Sequence, residues 1–130
     1  MQKVVEEFPD ERVRVFVIWE PVLGTDRSAP GTSVLERISD ARAAQYWDEG
    51  LLFATQLKGA VERDPGHPRA SCCDAAGLPW DVVVVYPPGA RWEGSLPRAV
   101  LFDGAVVRVT SLSRVVKELL PGKPANPAQP

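Results

Sequence analysis

Cysteine is scarce in this chain: two in 130 residues, and the two are neighbours, Cys72 and Cys73. That excludes a disulfide-stapled scaffold and points to a reducing compartment, so a cytoplasmic address is expected. Charge of either sign is not in excess, with 15 basic residues against 17 acidic ones and a net charge of −2. No lysine- or arginine-rich run appears, so neither nucleic acid nor acidic lipid is an expected partner. Long hydrophobic runs are missing too. The longest, Val82 to Pro88, falls far short of the ~18 apolar residues that cross a bilayer, and no membrane partner is expected. The opening stretch MQKVVEEFPDER has no apolar core of the kind a secretory signal carries. There is no Walker loop, GxGxxG, HExxH or GxSxG, and no internal repeat.

Proline, by contrast, is abundant, at 13 of 130 residues. The usual share is about 5%. Such density argues against a helical bundle or coiled coil, because proline removes a backbone donor and breaks the helix ladder. The remaining composition, 45% hydrophobic and 25% charged with four tryptophans, suits one modest globular domain. Its expected limits are residues 12–120, after an extension of residues 1–11 and before a tail of residues 121–130. Prolines at 121, 124, 127 and 130 put that tail on the period of a polyproline II helix. It reads as a solvated segment or as a ligand for a proline-reading module, without the flanking anchors such a ligand needs.

Along the chain, Val13, Val15, Val17 and Trp19 alternate with Phe16 and Ile18, which predicts a strand buried on both faces. Gly24 to Gly31 is a loop by composition. Ser33 and Glu36 have capping-box spacing, so a helix is expected from there towards Trp47, with a restart at Ser39 or Asp40. Leu51, Leu52, Ala54, Leu57 and Val61 mark a second helix. Asp81 to Tyr86, nearly all valine, predicts a central strand covered on both faces. Arg98–Phe102, Asp103-Gly104 and Ala105–Val109 have the form of a hairpin. Ser111 to Leu120 predicts a closing amphipathic helix.

The segment Gly94 to Leu120, GSLPRAVLFDGAVVRVTSLSRVVKELL, resembles the C-terminal half of a thioredoxin. Pro97, Gly104 and the Leu112–Leu120 helix carry the likeness. The resemblance implies an α/β fold, a thioredoxin-like three-layer α/β/α sandwich with a mixed central sheet. It implies a cis bond before Pro97 and a peptide-binding edge beside it. It also makes Val13–Trp19 the strand that leads into the active-site loop. That loop, Trp19 to Asp26, holds no cysteine. Dithiol exchange of the thioredoxin type and single-cysteine chemistry of the peroxiredoxin type are therefore both excluded there.

The remaining chemistry sits elsewhere. Adjacent thiols at Cys72 and Cys73 can bind a soft metal ion such as Hg(II), Cu(I) or As(III), or close a vicinal disulfide that responds to redox state. His67 is a candidate third ligand. A closed zinc site normally needs four, and no cofactor is obligatory. The bland alternative is one buried cysteine and one incidental one. Trp19, Glu20, Asp26 and Pro97 are candidate contacts for a peptide or partner protein, the second functional reading. Pro97 can equally be a requirement of the fold. Glu20 beside Trp19 would have a raised pKa if partly buried, and Glu20 or Asp26 is a weak candidate base for an enzyme. Otherwise Glu20, Asp26 and Arg27 are solvated loop charges. Trp47, Trp80 and Trp92 read as packing residues, or with Trp19 as an aromatic groove near Pro97.

Overall fold

A computed structural model describes residues 2–9, 12–75 and 77–120; the tail at 121–130 lies outside the described residues. The elements run α1 (Gln2–Glu7), β1 (Val15–Trp19), α2 (Thr32–Leu35), β2 (Ala43–Trp47), α3 (Leu52–Arg63), β3 (Asp74–Ala75), β4 (Leu78–Pro79), β5 (Val82–Val85), β6 (Leu101–Gly104) and α4 (Leu112–Leu119), with a 3-10 turn at Val106–Arg108. Among the described residues, β1 pairs with β2 in parallel, β3 with β4 antiparallel and β5 with β6 antiparallel, in separate sheets. The expected thioredoxin-like sandwich is thus corrected. Among the described residues, no mixed central sheet joins β1 to the valine strand.

The differences have local causes. No side chain caps α2, whose N-cap is Gly31, so the Ser33–Glu36 capping box does not form. Residues 43–47 are a strand, not helix. Asp40 Oδ1 accepts the Arg42 backbone N–H at 2.9 Å, and Oδ2 takes the Arg42 guanidinium at 2.7 Å. This Asx turn sends the chain out extended. Ala43–Trp47 then finds a ladder partner in β1, with Val15 opposite Ala43 and Trp19 opposite Trp47. Pairing with a distant segment overrides the helical preference of the alanines.

Strand β1 is also not buried on both faces. Phe16 is 64% exposed and Tyr46 52% exposed, and their rings stack with centroids 6.4 Å apart. Phe16, Ile18, Ala44 and Tyr46 share this outer face. On the other face the Trp19 indole N–H donates to Gln45 Oε1 at 3.1 Å, and Gln45 Nε2 donates to the carbonyls of Leu35 and Ile38.

The expected hairpin of residues 98–109 is replaced by a longer-range pair. β6 lies against β5, with Val85 opposite Leu101 and Val82 opposite Gly104. The valine run offers a full ladder, so Asp103 and Gly104 become strand residues. The chain beyond them folds into the 3-10 turn, held by Val106 N–H to the Asp81 carbonyl at 2.9 Å. Pro97 precedes no hairpin strand. The cis peptide bond among the described residues is Gly104–Ala105, so the bond before Pro97 is trans.

Helix α3 and the β5–β6 pair form the core. Leu57 is 0% exposed and packs with Ala60, Leu96 and Phe102, rimmed by Phe53, Val61, Val82, Val84 and Tyr86. The helix residues recur at helical spacing, and Val82, Val84 and Tyr86 alternate onto one face of β5. The Tyr86 hydroxyl is buried with no hydrogen-bond partner among the described residues.

Helix α1 and Phe8 are built into the fold. Val5 and Phe8 are buried, as is Leu112 of α4. Glu7 accepts from Ser113 Oγ at 2.6 Å and pairs with Lys117 Nζ at 2.9 Å. The Arg42 guanidinium donates to the carbonyls of Val5 and Phe8, which ties α1 to the start of β2.

Candidate functional site

Cys72 and Cys73 are joined by a disulfide between adjacent residues. The pair sits where the loop after α3 enters the β3–β4 hairpin, against the end of β6. Three contacts hold it. Before it, Ser71 donates its backbone N–H to Asp103 Oδ1 at 3.2 Å and its hydroxyl to the same oxygen at 2.9 Å. Gly104 N–H donates to that oxygen as well, at 2.9 Å. The Gly104 and Ser71 amides, with the Ser71 hydroxyl, hold the Asp103 carboxyl below the usual carboxylate range. After the pair, Trp80 N–H donates to the Cys73 carbonyl at 2.9 Å, which closes the hairpin base.

The third contact is the sulfur itself. A Cβ on Gly104 would meet Cys73 Sγ at 3.3 Å, the Asp81 carbonyl oxygen at 3.1 Å and Val82 Cγ1 at 3.2 Å. Glycine at 104 is what lets the sulfur settle on the strand. Cys73 has φ +73° and Asp81 φ +50°, so left-handed residues bracket the hairpin. A residue with a Cβ enters that region at a cost of about 1 kcal/mol or more, and only where its surroundings hold it there. Cys72 is exposed, whereas Cys73 is half-buried.

His67 does not serve this pair. It is 4% exposed, its Nδ1 lies 2.8 Å from the Pro68 carbonyl, and its Nε2 accepts Ala99 N–H at 3.3 Å. One neutral tautomer, with the proton on Nδ1, satisfies both bonds. Its ring packs edge-on to Phe102 at 6.3 Å. The imidazole fastens the loop after α3 to the segment entering β6. Among the described residues no group of three or more His, Cys, Asp and Glu is arranged to hold a metal ion.

Glu20 does different work from a loop charge. Glu20 and Asp48 follow Trp19 and Trp47, the last paired residues of β1 and β2. Both carboxylates turn onto the start of α3: Glu20 Oε1 accepts Ala54 N–H at 2.9 Å, and Asp48 Oδ2 accepts Phe53 N–H at 2.8 Å. They satisfy amides that the first helical turn leaves open. Burial pushes the Glu20 carboxyl up to about 7, with neighbouring Asp48 adding to the rise against the Ala54 bond. Asp26 and Arg27 stay in an exposed turn, with Asp26 N–H on the Leu23 carbonyl at 2.9 Å and Arg27 Nε on the Gly24 carbonyl at 3.2 Å.

Pro97 is half-buried between buried Leu96 and Ala99, beside Arg98, whose guanidinium reaches Asp64 and the Gly66 carbonyl. The tryptophans serve separate places. Trp19 binds Gln45, Trp80 closes the cysteine hairpin, and Trp92 meets Phe53 edge-on at 6.3 Å. The cysteine pair, the Trp19–Asp26 loop and Pro97 therefore belong to different elements. No hydrogen bond, ion pair or ring contact among the described residues joins the first two.

The sequence does not show that Ser71 meets Asp103 and Gly104, which lie 32 and 33 residues away. Asp103-Gly104 reads locally as a turn, and nothing nearby marks it as a clamp. Asp48 was missed as well, although the repeated pattern of tryptophan followed by a carboxylate was a usable signal. No helix is long and apolar enough to cross a membrane among the described residues. Compared with known proteins, the chain matches no family model, no curated protein and no solved structure.

Proposed function

We propose that Cys72–Cys73 is a reversible thiol–disulfide pair through which the protein responds to the redox state of its surroundings, in the cytoplasm. The observation that carries this is a bond between adjacent residues at a surface turn. A disulfide stabilises a fold mainly by closing a loop of unfolded chain, and the effect grows with loop length. A bond between neighbours encloses no intervening chain. It adds little to the fold, so its role is chemical. The balanced exchange consumes two thiols. One thiolate breaks the sulfur–sulfur bond and forms a mixed disulfide, and the released cysteine takes a proton. A second thiolate then attacks the incoming group's sulfur, releasing a small-molecule disulfide and the second cysteine thiol.

The same reduced pair supports soft-metal capture as a second reading. Adjacency places two thiolates on neighbouring residues, and thiolates select ions such as As(III) or Hg(II). Thiol labelling of the folded protein, read by mass before and after reduction, tests both. The account expects no label before reduction and both cysteines labelled after it. Arsenite should protect them from label, and Cys72→Ser or Cys73→Ser should abolish that protection. Native protein that stays unlabelled after reductant, with serine variants that oxidise and bind arsenite like the parent, overturns the reading.

A further inference from the structure

The two sulfurs are chemically alike but differently placed. Thiol–disulfide exchange is an in-line attack, so the incoming thiolate approaches along the extension of the sulfur–sulfur bond, behind the sulfur it strikes. Cys73 is the packed partner: a Cβ placed on Gly104 would lie 3.3 Å from its Sγ, so that sulfur sits close against the end of β6. Cys73 is half-buried there, and its carbonyl is held by Trp80 N–H. Cys72 is exposed. The preceding residue is pinned by two hydrogen bonds from Ser71 to Asp103, which hold the turn against the end of β6.

From this asymmetry we infer that Cys72 is the exchange sulfur and Cys73 the leaving one, with Asp103 as the positioning residue that maintains the difference. The inference rests on the redox reading above and adds its direction. A small-molecule thiolate bonds to Cys72 Sγ. The Cys72–Cys73 bond breaks, and its electron pair leaves on Cys73 Sγ, which takes a proton from water. Cys73 then either closes back on Cys72, expelling the small thiol, or stays free while a second thiol completes reduction. Without Asp103 the turn is no longer pinned to β6, Cys73 is uncovered, and the preference fades.

The test uses the oxidised full chain, a short exposure to glutathione, and rapid quenching with N-ethylmaleimide. Fragment-ion mass spectrometry then reads which cysteine carries each group. The expected result is glutathione on Cys72 and maleimide on Cys73, by at least about tenfold over the reverse, since access decides which sulfur is attacked. Asp103→Ala should bring the ratio towards unity. Asp103→Asn, which keeps the oxygen that Ser71 uses, should restore it, with circular dichroism confirming that both variants are folded. Equal adducts on both cysteines, or a preference for Cys73, overturn the direction while leaving the redox reading intact. A preference unmoved by Asp103→Ala overturns the positioning role. A disulfide that survives excess glutathione unmodified overturns the inference and the reading beneath it.

Discussion

Glu20 shows how one side chain can satisfy a helix and still prefer its proton. Its carboxyl rises from the usual 4.5 to about 7, burial being the first cause and Asp48 an additional one. A carboxyl with a raised pKa binds more protons when folded than when unfolded. Its contribution is therefore fully present below about 4.5 and is lost as pH climbs through about 7. Asp40 works in the opposite sense. Hydrogen bonds from Arg42 lower it from 3.8 to about 2, so its contribution holds above 3.8 and goes as pH falls through 2. Glu20→Gln keeps an oxygen for Ala54 N–H and removes the ionisation. Thermal unfolding at about pH 5 and about pH 8 should show the wild type losing stability at the higher pH and the variant losing less. Parallel curves for the two proteins would show that Glu20 does not titrate in this window.

At the scale of elements, α3 carries the core. Leu57 is 0% exposed against Phe102, Leu96 and Ala60. Leu57→Ala should cost about 2–5 kcal/mol by denaturant unfolding, the range for a buried leucine that leaves a cavity. A loss under ~1 kcal/mol, which a surface substitution produces, would place Leu57 outside the core. The elements visible in the sequence are those specified locally. The spacing of Ala54, Leu57 and Val61 marks α3, the valine run marks β5, and Leu112 to Leu119 marks α4. The elements that were misread are those decided by distant partners. Ala43–Trp47 has a helical composition and becomes a strand because β1 supplies its ladder. Leu101–Gly104 looks like the first arm of a local hairpin and pairs backwards with β5 instead. The expected three-layer sandwich failed for the same reason. A run of strands and helices in thioredoxin-like order says nothing about whether the strands share one sheet, and here they do not.

For the whole molecule, the candidate site was half legible. The adjacency of Cys72 and Cys73 is written in the sequence, as is the chance of a raised Glu20. The Ser71–Asp103 clamp and the seat on Gly104 are not, because a strand pairing from far along the chain creates them. Side-chain ties fasten strand ends and loops to the rest of the fold: Arg42, just before β2, to α1; Glu20, just after β1, to α3; His67, in the loop after α3, to Ala99. None of these ties uses the disulfide. Opening it should therefore change the hairpin base and the end of β6 and leave the rest standing. The direct measurement is the backbone amide spectrum of the full chain, recorded oxidised and then with excess thiol. The account predicts a folded protein in both states, with shifts concentrated at residues 71–82 and 103–106 and reversal on reoxidation. A chain that unfolds on reduction, or a spectrum that excess thiol leaves unchanged, would contradict it.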